Sequence, residues 1–340
     1  TGYLSVWCTN IDRMNPDDLI KATSKALPEI DISGSRCVPI TNGGSDRDYF
    51  RITLKDKSSL VIMRYTADRP DNLKFISSSK ILKKIGSRCP EIIHHDESNM
   101  ITWIEDLGSE HLWDHRETEW EKRGELYKLV IDEISNIHEY NETNLDVDDL
   151  SQLEPSFDEN LYQWEQDYFF DHFLFYYSRR APSYQNALRQ ESEFKDLINK
   201  LINPKRFLIH RDLQSQNILI HKEKPYLIDY QGLRLGLREY DIASLVYDPY
   251  VNFTKSQRKE IINYAFRSRK KNEWEPLFEA CSCQRLMQAL GAYSRLGNEL
   301  GKTDFLRFIP RALENIREIL ENTDILPNLT PYLSEEAISL

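Results

Sequence analysis

Asp212, Asn217 and Asp229 lie within one stretch, HRDLQSQNILIHKEKPYLIDYQG, from His210 to Gly232. Ile218-Leu219-Ile220 and Tyr226-Leu227-Ile228 are short apolar runs rich in β-formers, and Lys222-Glu223-Lys224-Pro225 between them reads as a hairpin turn. The three polar residues therefore sit at strand ends, where a scaffold can hold side chains rigidly. Their spacing is H-x-D-x-x-x-x-N followed by a hairpin and Ile-Asp, the pattern of a phosphoryl-transfer site. Such a site needs a carboxylate to orient an attacking hydroxyl and accept its proton. It also needs oxygen ligands that hold magnesium, a hard cation, against phosphates. Asp212 suits the first role, and Asn217 and Asp229 suit the second. A lone HRD is a weak signal. Asn217, the hairpin and Asp229 at the right distances make it much more specific.

HRDLQSQN, LIDYQG and the following YDIASLVYDPY resemble the aminoglycoside phosphotransferase superfamily, and within it the bacterial amino-sugar kinases acting on N-acetylmuramate and N-acetylglucosamine. The resemblance is sharp over residues 207–250, fair over 40–110 and a helical pattern elsewhere. It implies an α+β, two-lobed, protein-kinase-like fold with ATP and Mg²⁺ between the lobes. Residues 1–104 would form a sheet-rich nucleotide lobe. Residues 105–340 would form a helical lobe carrying hinge, catalytic loop and acceptor site.

The composition permits this. A chain of 340 residues can build two packed lobes. Net charge is −11, from 55 acidic and 44 basic residues, which argues against non-specific nucleic-acid binding. No apolar run approaches the length of a membrane span. The cysteines, Cys8, Cys37, Cys89, Cys281 and Cys283, are scattered and odd in number, which reads as buried thiols rather than a disulfide framework. No signal peptide is read at Thr1 to Cys8. The expectation is a cytoplasmic, reduced, soluble protein with a small-molecule substrate and neither nucleic-acid nor membrane partners.

Asn15 to Leu27 reads as a capped helix with Pro16 in its first turn. Cys37 to Ile40, Tyr49 to Leu54 and Ser59 to Tyr65 read as a β-meander. The first loop, with Gly43, Gly44, Ser45 and Arg47, stands where a kinase has its glycine-rich loop. Glycines let backbone N–H groups approach phosphates, and Ser45 and Arg47 could add donors. Alone, Gly-Gly-Ser would be an ordinary hairpin turn. The third strand, Leu60 to Tyr65, lacks the phosphate-binding lysine of protein kinases. Arg64 stands nearby and could contact phosphate or face solvent. The next helix, Asn72 to Ile85, contains no Glu, so the usual Lys–Glu pair is doubly missing. Glu91 to His95 and Met100 to Ile104 read as two more strands, and His94-His95 as a structural pair. Glu105-Asp106-Leu107-Gly108 resembles the superfamily hinge, which makes the Glu105 C=O and the Leu107 N–H the candidates for adenine.

Beyond Glu119 the pattern is helical: Trp120 to Tyr140, Phe157 to Tyr177, Glu191 to Ile202, then Thr254 to Arg269, Glu275 to Gly297 and Thr303 to Glu321. Asn144 to Gln152 reads as an acidic connector. The aromatic run from Phe157 to Tyr177 reads as a core helix, with a sugar site lined by some rings and Asp167 or Asp171 as the alternative. Asp241 is placed to cap a helix starting there, and kinase-like folds also use this Asp to brace the catalytic loop. The basic run Arg267 to Lys271 reads as a solvated helix end.

Three functions compete. An amino-sugar kinase would use Arg234, with Asp241 nearby, toward an acidic acceptor such as the lactyl carboxylate of N-acetylmuramate. Arg234 could equally be a structural brace. A kinase for aminoglycosides, or for another small molecule such as choline, fits the acidic net charge but fits the Asp-Tyr-Gln-Gly-x-Arg run less well. A pseudokinase would explain the missing lysine but not the retention of Asp212, Asn217 and Asp229 together.

Overall fold

Asn15 starts the first helix, α1 (Pro16–Ala26), through a capping box. Its side chain accepts from the Asp18 N–H at 3.1 Å, and the Asp18 carboxylate accepts from the Asn15 N–H. The structure, a computed structural model, describes residues 15–40, 47–66 and 70–340. Gly43, Gly44, Ser45 and Cys8 lie outside those residues. Strands β1 (Arg36–Ile40), β2 (Asp48–Thr53), β3 (Ser59–Arg64), β4 (Ile92–Asp96) and β5 (Ile101–Glu105) form an antiparallel sheet of order β1-β2-β3-β5-β4. β3 is central and alternates with period two. Leu60 and Ile62 face the cluster under α1, where the Trp103 indole donates to Thr23 Oγ1 at 2.8 Å. Val61 and Met63 face the other way, into the core shared with the helical body.

A 3₁₀ turn, Pro70–Lys74, leads into α2 (Phe75–Lys84). The helical body follows with α3 (Trp120–His138), α4 (Val147–Gln152) and α5 (Glu159–Tyr168). A π-helical segment, Phe169–Leu174, runs on into α6 (Phe175–Tyr177), then α7 (Pro182–Arg189) and α8 (Ser192–Ile202). Next come β6 (Phe207–Ile209), the hairpin β7 (Ile218–His221) and β8 (Lys224–Leu227), and β9 (Arg234–Gly236). Helices α9 (Arg238–Val246), α10 (Lys255–Ala265), α11 (Lys271–Asn298) and α12 (Ile309–Asn322) complete the chain. The buried α11 is the axis of this body. Among the described residues no helix is long and apolar enough to cross a membrane.

Several expectations are corrected. The hairpin turn is only Lys222 and Glu223, with φ of +50° and +61°, as the tightest hairpins require. Lys224 and Pro225 already belong to β8. The acidic connector holds α4, capped by Asp146, whose side chain accepts from the Asp149 N–H. The aromatic run is not one helix: the π segment interrupts it and buries Phe169, Phe170 and Phe173, while Trp164, Phe175 and Tyr176 stay exposed. β9 goes unread in the sequence because three residues carry too little pattern; it pairs antiparallel with β6. The basic run is not solvated throughout. Arg269 pairs with the buried Glu239, and Lys271 opens α11. Cys37, Cys89, Cys281 and Cys283 are free and buried, as expected.

The end of α5, where the π segment begins, meets α11 at a glycine. A Cβ on Gly291 would lie 2.7 Å from the Tyr168 carbonyl oxygen, a backbone atom that cannot swing aside. Gly291→Ala is expected to destabilise the fold by about 1–3 kcal/mol despite the better helix propensity of alanine, because overpacking outweighs it. A lowered midpoint in thermal unfolding checks this. An equal or higher midpoint would mean that the two helices part freely.

Candidate active site

The loop between β6 and β7 is held from below by two buried carboxylates. Asp241, wholly buried, accepts from the backbone N–H groups of His210 and Arg211, each at 2.8 Å, and faces His138 Nε2 at 3.0 Å. Arg211 is left-handed, with φ of +79°, so the chain bends sharply just after the two bonded amides. Asp248 accepts from the Ser215 N–H at 2.8 Å, the Ser215 hydroxyl at 2.5 Å and the Tyr250 N–H at 2.9 Å. Burial pushes the Asp248 carboxyl up to about 6, against the pull of those donors. His210 Nε2 lies 3.0 Å from the Ile228 carbonyl and ties the loop to β8.

Asp212 rides on this loop with its side chain 30% exposed, so an acceptor can reach it. Its Oδ1 accepts from Arg285 Nη2 at 2.8 Å, and its Oδ2 accepts from Asn217 Nδ2 at 3.2 Å. Arg285 is buried in α11. Its Nε donates to Ser244 Oγ at 2.9 Å, and a further N–H donates to Gln288. Burial works to lower the Arg285 pKa, but Asp212, Tyr240, Tyr293 and Glu165 together outweigh it and raise it, so the guanidinium keeps its proton. Arg285 left no sequence signal, since it stands among residues with simple helical periodicity far from the loop.

Asn217 turns its amide nitrogen toward Asp212, also donating to the Asp212 carbonyl at 2.9 Å, which leaves its oxygen as the group available to a cation. Its own carbonyl accepts from the Ile228 N–H at 3.0 Å, so Asn217 and Asp229 lie side by side at the ends of β7 and β8. Asp229 is left-handed, with φ of +59°. Its Oδ1 accepts from Arg47 Nη1 at 3.0 Å and from Gln231 Nε2 at 2.9 Å. An amide oxygen beside a part-exposed carboxylate is a donor set that fits magnesium.

The stretch expected to be the hinge is braced. Arg51 forks onto Asp106, with Nε at 2.6 Å and Nη2 at 3.0 Å, and also donates to the Gly108 carbonyl. Burial works against the charge on Asp106, yet Arg51, Ser59 and the Gly108 N–H together hold its pKa below the usual carboxylate range. Glu105 ends β5, and its N–H donates to the Glu91 carbonyl at 2.8 Å. Leu107 is buried, and its carbonyl lies 3.0 Å from His221 Nδ1.

The other expected site residues divide. Arg64 pairs with Asp48 across β2 and β3, at the end of its strand. Arg234, on β9, donates to the Gly232 carbonyl at 3.1 Å and lies over the Phe157 ring at 5.4 Å. Burial, and then the like charge of Arg211, lower its pKa. Asp241 does not start its helix, which begins at Arg238 with Leu237 at the cap. Its carboxylate is spent on the loop backbone, so it positions the loop and cannot touch an acceptor. Asp167 and Asp171 face Arg189 on the outside of the helical body. His94 packs on Trp103 and His95 lies 3.0 Å from Thr102 Oγ1, a structural pair.

A small antiparallel sheet over a helical body, with these side chains at the junction, defines a kinase-like phosphotransferase. The chain matches the Phosphotransferase enzyme family, APH, over residues 36–277, and belongs to it. It is 23% identical over 304 residues to an N-acetylmuramate/N-acetylglucosamine kinase of Pseudomonas aeruginosa, covering 84% of this chain and 86% of that one. Among solved structures it is similar to an ethanolamine kinase of Plasmodium vivax, with a TM-score of 0.64 at 14% identity, covering 95% of this chain and 93% of that one. It is also similar to an aminoglycoside phosphotransferase solved with streptomycin and ATP, with a TM-score of 0.60 at 10% identity, covering 91% and 97%. The protein is a small-molecule kinase.

Arg285 touches Asp212 and no part of the hinge. Arg285→Gln is therefore expected to lower kcat by about 10- to 100-fold, the cost of losing a charge-assisted bond, while leaving the KM for nucleotide nearly unchanged. Steady-state kinetics with nucleotide varied checks the split. A raised nucleotide KM at constant kcat would contradict it.

Proposed function

We propose that this protein transfers the γ-phosphate of ATP, with Mg²⁺, to the anomeric hydroxyl of N-acetylmuramate or N-acetylglucosamine, as in the recycling of cell-wall sugars. The observation that carries the proposal is Asp212, part-exposed and clamped between Arg285 and Asn217, next to Asp229. The name of the Pseudomonas aeruginosa relative supports the acceptor. In this reading residues 1–104 form the nucleotide lobe, 105–340 the acceptor lobe, and the enzyme works in the cytoplasm. The Glu105 carbonyl and Leu107 N–H would receive adenine on a hinge stiffened by Arg51 and Asp106. Gly43, Gly44 and Ser45 would cover the phosphates.

Asn217 and Asp229 would hold Mg²⁺, which neutralises phosphate charge when bound. Asp212 orients the hydroxyl and takes its proton. An anomeric hydroxyl is more acidic than an ordinary alcohol, so that proton can move late. The loose transition state then asks mainly for positioning and for neutralised phosphate charge. Arg285 fixes the direction of the Asp212 carboxylate.

Arg234 would meet the lactyl carboxylate of N-acetylmuramate, with Arg211 beside it. The Nε of Arg211 is buried without a protein hydrogen-bond partner, and Gly232 lies against both arginines. A cationic pair suits an acidic acceptor and repels a polycation, which favours amino sugars over aminoglycosides.

Asp212→Asn is expected to bind ATP normally and to lose phosphoryl transfer by about 10²-fold or more. Turnover near that of the wild type would remove Asp212 from the role of base. Phosphorus NMR of the product should show coupling to the sugar H1. A 6-phosphate, or turnover of kanamycin-like substrates with none of amino sugars, would sink the proposal. Arg234→Ala should weaken N-acetylmuramate by about tenfold or more while sparing N-acetylglucosamine, which has no carboxylate. Equal losses on both sugars would leave Arg234 a structural brace.

A further inference from the structure

The cleft-facing side of β3 offers no cation: Val61 and Met63 are both buried and apolar. Arg64 is on the opposite parity and is engaged with Asp48. Something else must supply the positive charge that a lysine on this strand gives to kinase phosphates. Tyr49 on β2 is the register partner of Met63. Arg47 precedes Tyr49 by two residues and so continues the face that Tyr49 and Met63 share. Its guanidinium crosses to the catalytic side, donating from Nη1 to Asp229 Oδ1 at 3.0 Å and from Nε to Asn72 Oδ1 at 2.7 Å. Asn72 is fixed in turn by donating to the Thr66 carbonyl at 2.9 Å. The Arg47 side chain is only 4% exposed, so this is a built position and not a surface contact.

We infer that Arg47 replaces the missing third-strand lysine. It holds Asp229 while the site is empty, and turns its charge to the phosphate oxygens when nucleotide and metal arrive. The chemistry of the two groups favours an exchange of this kind. A guanidinium at hydrogen-bond distance and a divalent cation on one carboxylate set two positive charges against each other. The phosphates offer the displaced guanidinium a better-matched, bidentate partner. Asn72 supplies the brace that an acidic residue on the following helix gives elsewhere, and it does so without charge, so Arg47 is not neutralised at its anchor. The inference rests on the nucleotide site proposed above and adds the residue that makes that site work without the lysine.

The test measures binding, independently of turnover. Calorimetry with ATP in excess EDTA reads nucleotide binding in the absence of metal. Electron paramagnetic resonance with Mn²⁺ and nucleotide-free protein reads competition at Asp229. Arg47→Gln keeps a donor toward Asn72 and removes the charge. It is expected to weaken metal-free ATP about 10- to 100-fold, and to strengthen Mn²⁺ binding to the empty protein. Arg47→Lys, which keeps the charge, should retain most of the ATP affinity. It covers the case in which the glutamine variant does not fold. Unchanged ATP affinity in Arg47→Gln, or a loss in Arg47→Lys as large as in Arg47→Gln, would overturn the inference. If the wild type binds Mn²⁺ but no ATP, the nucleotide site itself fails, and the role of Arg47 fails with it.

Discussion

The carboxylate of Asp241 is the point on which the site depends. The loop must present Asp212 to the cleft immediately after a strand, which forces Arg211 through a left-handed bend. That bend leaves two adjacent N–H groups pointing into the protein, where unpaired donors cost about 1–3 kcal/mol each. Asp241 takes both, and the fit explains why a charged group can be wholly buried there: it is paired, bonded and faced by His138. Asp248 does the same for the second half of the loop at Ser215. The loop is thus shaped by acids beneath it, and its own acid is free to face substrate.

A second layer of arginines surrounds Asp212 and its neighbours. Arg285 reaches Asp212 from α11, Arg47 reaches Asp229 from the residue before β2, and Arg51 on β2 forks onto Asp106 beyond the end of β5. Each arginine spans elements distant in sequence, so the two halves of the site are tied together by side chains as well as by the chain. Planar guanidinium groups suit this work, because they stay charged when buried and fork onto carboxylates.

Much of this was legible in the sequence, and the divisions have physical reasons. The fold class followed from motifs whose residues are close together in the chain: the catalytic hairpin, the meander and the capped first helix with Asn15 and Pro16. Local chemistry writes such features within a few residues. Asp241 was half legible. Its presence in YDIASLVYDPY marked it, but only tertiary placement shows that it serves the His210 and Arg211 amides and leaves nothing for a substrate. Arg285 was not legible, since nothing in the sequence of a long helix separates a buried arginine from a surface one. Neither was the Arg47–Asp229 contact, which depends on the parity of β2 against β3. The π segment and β9 escaped because a one-turn irregularity and a three-residue strand fall below what periodicity resolves.

The central claim is that the hydroxyl presented to Asp212 is the anomeric one of an amino sugar. The most direct test offers the enzyme N-acetylmuramate beside its 1-O-methyl glycoside, which keeps every other hydroxyl, the acetamido group and the lactyl carboxylate. ATP consumption is expected with the free sugar and not with the glycoside, which should still bind and compete. Sustained phosphorylation of the methyl glycoside would contradict the account, because the transferred group would then have gone to a hydroxyl elsewhere on the ring.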